Sequence, residues 1–248
     1  MTENQNVPAV ILDGVRKSYV VNRTFGTDKV EALKGLSLTI QKGEAAVLLG
    51  LNGAGKTTVL KLIAGLLFPD SGNISVFGMS PSLPEAKAKI GFLPELPYFP
   101  NYKNPVDALM FYGRLSGLSG KDLIDKTEKA IEITGLNPHK DKKIRQFSKG
   151  MMQRLGLAQA MLHNPSLILL DEPVSGLDPL AIRDIRHILS DMSKQGVAIL
   201  MSSHSISEAE KICSKALIMK DGLLAKTVSR QEWEAGGGLE EIFIKTLE

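Results

Sequence analysis

Cysteine is all but absent from this chain: Cys213 stands alone, and one thiol cannot close an internal disulfide. The opening stretch MTENQNVPAV lacks a basic segment leading into an apolar core, so no secretory leader is read there and a reducing cytoplasm is the expected setting. Long apolar runs are missing too. The longest are short pieces such as residues 167–170 and 197–201, against the roughly 20 residues needed to span a bilayer. Any membrane role is therefore expected through a partner. Acids and bases nearly balance, 27 against 30, and no long basic run is present, so nucleic acid is not an expected partner. There is neither an internal repeat nor a low-complexity tail. With 248 residues and an ordinary apolar content, the chain can bury a real core without staples.

What is present is the run Gly50-Leu51-Asn52-Gly53-Ala54-Gly55-Lys56-Thr57-Thr58. It has a Gly, four free positions, then Gly-Lys-Thr, the pattern of a phosphate cradle. Its glycines let several backbone N–H groups point inward at one anion, and Lys56 adds a mobile positive charge. Thr57 can offer a hydroxyl to a Mg²⁺ ion bridging two phosphates. Context supports the pattern. Residues 45–49 (AAVLL) read as a buried strand leading in, and residues 56–67 carry apolar side chains at helical spacing leading out. The helix N-terminus adds unpaired N–H groups and the positive end of its dipole.

Before the cradle, residues 8–12, 15–21 and 36–41 are β-branched or alternating segments separated by turn residues at 13–14 and 26–28, which predicts an antiparallel patch. Tyr19 lies in it, an aromatic that can stack on a base or pack in the strand. After the cradle helix, residues 73–77 and 90–93 are short strands, the second ending at Pro94-Glu95. The composition then shifts. Four prolines and six of the chain's thirteen aromatics fall within residues 92–112, more than a Pro-interrupted segment can bury in regular structure. They are read as either core or a contact surface. Helices are predicted over 106–115, 123–134 and, from an N-cap at Ser148, to about residue 163. Residues 167–170 form a fully buried strand that delivers Asp171 and Glu172 at its carboxyl end. A helix (180–194), a strand (197–201), His204, a helix from about 207, a hairpin around Asp221-Gly222 and two helices separated by Gly236-Gly237-Gly238 complete the chain.

In open α/β sheets ligands sit outside the carboxyl ends of the parallel strands. The cradle, Asp171-Glu172 and His204 each follow a predicted strand and are expected to converge on one edge. Asp171 is suited to holding Mg²⁺, directly or through water, and Glu172 to polarising an attacking water. His204, at the neighbouring strand end, can hydrogen-bond a γ-phosphate.

These motifs in this order resemble the ATP-binding subunit of ABC transporters. Gly50 to Thr57 matches Walker A, residues 147–151 the signature usually written LSGGQ, residues 167–171 the Walker B strand with Glu172 as catalytic base, residues 175–178 the D-loop, and His204 the switch histidine. The resemblance implies an α/β fold: a P-loop NTPase core with a mostly parallel sheet, an N-terminal antiparallel β subdomain and a helical insertion. As domains it implies a single ATPase unit over 1–248, with a core at about 1–95 and 164–228, the insertion at about 96–163 and a helical extension at 229–248. It implies ATP and Mg²⁺ as cofactors, with Thr57, Glu95 and Asp171 around the metal. Tyr19 falls where the family stacks on adenine, with Phe25 as a rival. Ser148, Gly150 and Asp178 would act across a head-to-tail dimer on ATP held by a second ATP-binding subunit, expected to be an identical copy. The aromatic segment after residue 95 coincides with the groove that receives an integral membrane permease, which implies a peripheral position on the cytoplasmic face of the cell membrane.

Two departures matter. Glu95 stands where the family usually has glutamine, so it adds a charge and cannot donate. Phe147, Lys149 and Met151 replace Leu, Gly and Gln in the signature, while Ser148 and Gly150 remain. A similar glutamate and lysine are familiar in ATPases of exporters with a separate permease, which points to export. The other readings are a soluble ABC ATPase acting on ribosomes or DNA, and a P-loop kinase or GTPase. The first usually resembles two fused cassettes or carries long coiled-coil or basic segments, and the second leaves the signature unexplained.

Overall fold

A computed structural model describes residues 7–22 and 26–248. In chain order the elements are β1 (Val10–Asn22), β2 (Thr27–Ile40), β3 (Ala45–Leu49), α1 (Lys56–Ile63), β4 (Ser71–Val76), α2 (Pro84–Lys87) and β5 (Ile90–Leu93). There follow α3 (Pro105–Leu115), α4 (Gly120–Ile133), α5 (Lys149–Met161), β6 (Leu167–Asp171), α6 (Pro179–Lys194) and β7 (Ala198–Ser203). The chain ends with α7 (Ile206–Ile212), β8 (Lys215–Lys220), β9 (Leu223–Ser229), α8 (Arg230–Ala235) and α9 (Leu239–Leu247).

Two sheets organise these elements. One is antiparallel, in the order β2-β1-β4; the other runs β5-β6-β7-β3-β8-β9, parallel except for β9, which pairs antiparallel with β8 at the edge. The three central strands β3, β6 and β7 are buried at every position, as a parallel sheet covered on both faces requires. Alternation then sends successive side chains to opposite cores. Ala46 and Leu48 of β3 pack with α1 and the antiparallel sheet, whereas Ala45, Val47 and Leu49 pack with α6, Trp233 and Leu239. A third core, around Phe99, Leu109, Ile131, Leu155 and Leu162, belongs to α3, α4 and α5.

Helix α5 joins two of these cores. Leu155 and Ala158 face the helical one, and Leu157 and Ala160 face the central sheet. A salt bridge from Arg154 to Asp184, 2.7 Å, fastens α5 to α6. The N-terminal end of α5 is thereby held at a set position relative to the sheet.

The antiparallel part differs from expectation. Asp13-Gly14, read as a turn, lies inside β1 as a bulge, with the register shifting between Leu12 and Val15. Thr27 and Asp28, also read as turn, begin β2 and pair with Asn22 and Val21. Cross-strand pairing along a long two-stranded ribbon carries these polar residues, which their own propensities do not favour. Helix α1 stops at Ile63 rather than near residue 67, because Gly65 takes a left-handed conformation (φ 64°).

Candidate functional site

The carboxyl ends of the parallel strands meet at one cleft of about 610 Å³. Residues 50–58, Glu95, Glu172 and His204 line it, together with Ala32 from β2 and Phe243 from α9. The cradle is shaped by close approach. A side chain at Gly50 would come within 2.6 Å of the Met219 carbonyl oxygen, and one at Gly55 within 2.7 Å of the Ala32 carbonyl oxygen. Gly55 also has φ 99°, a left-handed value that an L side chain rarely adopts. It caps α1 with no side-chain acceptor, so the first N–H groups of that helix are open to the cleft.

Lys56 is buried, and its ammonium donates to the carbonyl oxygens of Gly50 (2.8 Å) and Leu51 (3.3 Å). Burial pushes its pKa below the ordinary lysine value, while Glu172 and Asp171 oppose the shift. Thr57, at the start of α1, donates its hydroxyl to Asp171 Oδ1 at 3.0 Å. The same oxygen accepts from the hydroxyl of Ser202 at 2.7 Å, and Ser202 Oγ accepts from the backbone N–H of Glu172 at 2.9 Å. Glu172 has φ 49°, which for a non-glycine residue costs on the order of 1–3 kcal/mol. Its carboxylate Oε2 lies 2.8 Å from His204 Nδ1.

Among the described residues no group of three or more His, Cys, Asp or Glu side chains forms a metal cage. A hydroxyl and a buried carboxylate side by side are nonetheless hard oxygen donors of the kind that suits Mg²⁺, which is commonly held by one or two carboxylates and the phosphates of its nucleotide. The arrangement can therefore seat a polyphosphate and its cation, with an acid and an imidazole at the far side.

Not every expected residue lies in the cleft. Ser148 caps α5, accepting from the N–H of Met151 at 3.2 Å; Asp178 caps α6, accepting from the N–H groups of Leu180 and Ala181 at 3.0 Å each. Those amides, Ala181 first, hold the Asp178 carboxyl below its usual range. Ser148, Gly150 and Asp178 are absent from the cleft lining, as is Tyr19, whose hydroxyl lies 3.3 Å from Thr58 Oγ1. Phe25 falls outside the described residues. Conversely, Ser202, Phe243 and Ala32 were not legible as site residues. For Ser202 the signal was there: two serines break an apolar strand just before His204.

The ABC transporter family matches residues 33–175, more than half of the chain. This chain belongs to that family. It is 41% identical over 202 residues to an uncharacterized ABC transporter ATP-binding protein, YxlF of Bacillus subtilis, an alignment covering 82% of this chain and 67% of the relative. It is 36% identical over 226 residues to the bacitracin transport ATP-binding protein BcrA of Enterococcus faecalis, covering 90% and 72%. Among solved structures, the ATP binding subunit of an ABC transporter superposes with a TM-score of 0.83 at 26% identity, covering 96% of this chain and 99% of that one. The fold is that of an ABC ATPase cassette, and the α/β architecture with an antiparallel subdomain and helical insertion agrees with it.

Of the six aromatics in the Pro-rich segment, three are packed: Phe99 is 2% exposed, with Phe92 and Tyr112 half-buried. The other three are not. Tyr98 and Tyr102 are 80% and 73% exposed, Phe111 is also exposed, and Leu96 and Leu115 accompany them. The segment therefore divides into a packed half and an exposed half. Among the described residues no helix is long and apolar enough to cross a membrane.

Proposed function

We propose that this chain is the ATP-hydrolysing subunit that drives a separate membrane permease. The observation that carries the reading is the continuous link Thr57, Asp171, Ser202, Glu172, His204 along the edge of the cradle. A base and an imidazole side by side next to a phosphate cradle are what attack of water on a bound γ-phosphate calls for. Residues 50–58 enclose the phosphates with backbone N–H groups, and Lys56 exchanges its carbonyl partners for phosphate oxygens. Thr57 and Asp171 would hold Mg²⁺, and Glu95 lines the cleft beside Thr57. An ion held there would supply charge neutralisation for the bound phosphates. Glu172 takes the proton of the attacking water, and His204 holds that carboxylate in place and reaches the γ-phosphate. Tyr19 stacks on the adenine.

A single copy leaves Ser148, Gly150 and Asp178 away from this cleft. We read them as acting on nucleotide held by a second copy in a head-to-tail dimer, with the Ser148-capped N-terminus of α5 facing the γ-phosphate. ATP favours that closed pair only through interactions with its γ-phosphate, which ADP cannot make. Residues 96–163 form the insertion that meets the permease, through the exposed face of Leu96, Tyr98 and Tyr102. The subunit would sit peripherally on the cytoplasmic face of the membrane. Glu95 and Lys149 support export as the direction.

The test is Glu172→Gln. It should bind ATP, hydrolyse it at least about a hundredfold more slowly, and run as a dimer on a sizing column with ATP and Mg²⁺. A variant that stays monomeric or hydrolyses at the wild-type rate refutes the scheme. Affinity purification from gently solubilised membranes tests the partner: a stoichiometric polytopic protein is expected, and ribosomal or DNA-associated proteins in its place would overturn the transport reading.

A further inference from the structure

We propose that Ser202 is a positioning residue for ATP hydrolysis: its one hydroxyl sets Asp171 and Glu172 in register with each other. The proposal rests on the ATPase reading above. Asp171 and Ser202 are direct neighbours in the parallel pairing of β6 with β7, and both are buried, Ser202 completely. Facing a carboxylate across a strand pair, an aliphatic side chain would leave Asp171 Oδ1 with the Thr57 hydroxyl alone. Serine does more than fill the space. Its hydroxyl donates to Asp171 Oδ1 (2.7 Å) while its oxygen accepts the N–H of Glu172 (2.9 Å). A hydroxyl is the smallest side-chain group that can do both at once.

The second bond matters because Glu172 leaves the strand in a left-handed conformation, φ 49°. Such a residue persists only where its surroundings over-determine it. That turn points the carboxylate at His204 rather than along the strand direction. Ser202 thus couples the carboxylate suited to the cation with the carboxylate suited to the water, two groups whose relative placement decides whether a bound water is in line. Ser202 does not line the cleft and acts through its two neighbours. Ser203, next along β7, is equally buried, but its hydroxyl turns to the Ser205 backbone instead.

The experiment compares wild type with Ser202→Ala, Ser202→Thr and Ser203→Ala, using the full chain. In the nucleotide-free protein, hydrogen exchange at the Glu172 amide should accelerate at least about tenfold in Ser202→Ala, the bond to Oγ being removed. The kcat of Ser202→Ala should fall about 10- to 100-fold, with KM for ATP within about threefold because the cradle is untouched. Ser202→Thr, which keeps the hydroxyl, should restore both readouts. Ser203→Ala should stay within about twofold of wild type. Unchanged exchange and unchanged kcat in Ser202→Ala overturn the proposal, as does equal loss in Ser203→Ala or in Ser202→Thr. A wild type that hydrolyses no ATP refutes the ATPase reading itself, and the exchange measurement still reports whether Ser202 holds Glu172.

Discussion

His204 Nδ1 stands 2.8 Å from Glu172 Oε2 at the mouth of the cleft, with the imidazole 60% exposed and the carboxylate 12%. One partner of the pair faces solvent and the other faces the site. The bond joins the ends of two adjacent parallel strands, β6 and β7, so the sheet register itself delivers it.

His204→Ala removes the side chain that holds the Glu172 carboxylate in this orientation. Steady-state hydrolysis should show kcat lowered about 10- to 100-fold, with ATP affinity by equilibrium binding changed much less. A variant retaining more than half of the wild-type kcat would show that the pair contributes nothing to turnover.

Lys56→Ala removes a buried ammonium that is costly to desolvate and that, among the described residues, bonds the backbone carbonyls of Gly50 and Leu51. Melting without nucleotide should therefore shift little. The nucleotide-induced rise should disappear: at ATP a hundred times Kd the wild type gains about 2.7 kcal/mol and the variant close to none. Scanning fluorimetry with and without ATP separates the two.

Phe243 brings the C-terminal helix α9 to the wall of the nucleotide cleft while packing partly against the core beneath it. Phe243→Ala should lower stability by about 1–3 kcal/mol, less than a fully buried phenylalanine would. It should also weaken ATP binding about fivefold, the equivalent of roughly 1 kcal/mol of apolar burial removed. Ile244→Ala, on the exposed side of the same helix, should change neither. Denaturant titration and a nucleotide-binding isotherm on both variants decide it.

His163 carries a pH dependence. Its Nε2 is 3.1 Å from the Ile90 carbonyl oxygen, and burial holds its pKa below the ordinary 6.5, the backbone bond only partly offsetting this. Below pH 6.5 the unfolded chain therefore takes up a proton that the folded one resists, so stability is full above that value and declines as pH falls. Urea midpoints measured from pH 7.5 to 5.5 should fall more steeply in wild type than in His163→Gln. Parallel slopes would remove His163 as the cause.

How much of this was legible follows from the range of each interaction. Residues 45–58 could be read as strand, cradle and helix because a fully apolar run, three glycines and a helical period all lie within one short window. Asp171, Glu172 and His204 were placed at one edge by the rule that parallel strands deliver ligand-binding residues at their carboxyl ends, with no contact needing to be known. The capping role of Ser148 is local as well, its side chain reaching an amide three residues on.

The tertiary structure alone decided which distant residues share those places. Ser202 meets Asp171 and Glu172 across 30 or 31 positions of chain, through a strand pairing that spacing does not reveal. Phe243 reaches the cleft because α9 packs back on the core beyond its glycines, and an amphipathic period reports a buried face without naming what it faces. The six clustered aromatics divided into a packed half and an exposed half because the helical core takes up only Phe99 and Tyr112 and the core beside the antiparallel sheet takes up Phe92. Periodicity and turn chemistry fix local conformation; which residues become neighbours is set by how the buried faces fit together.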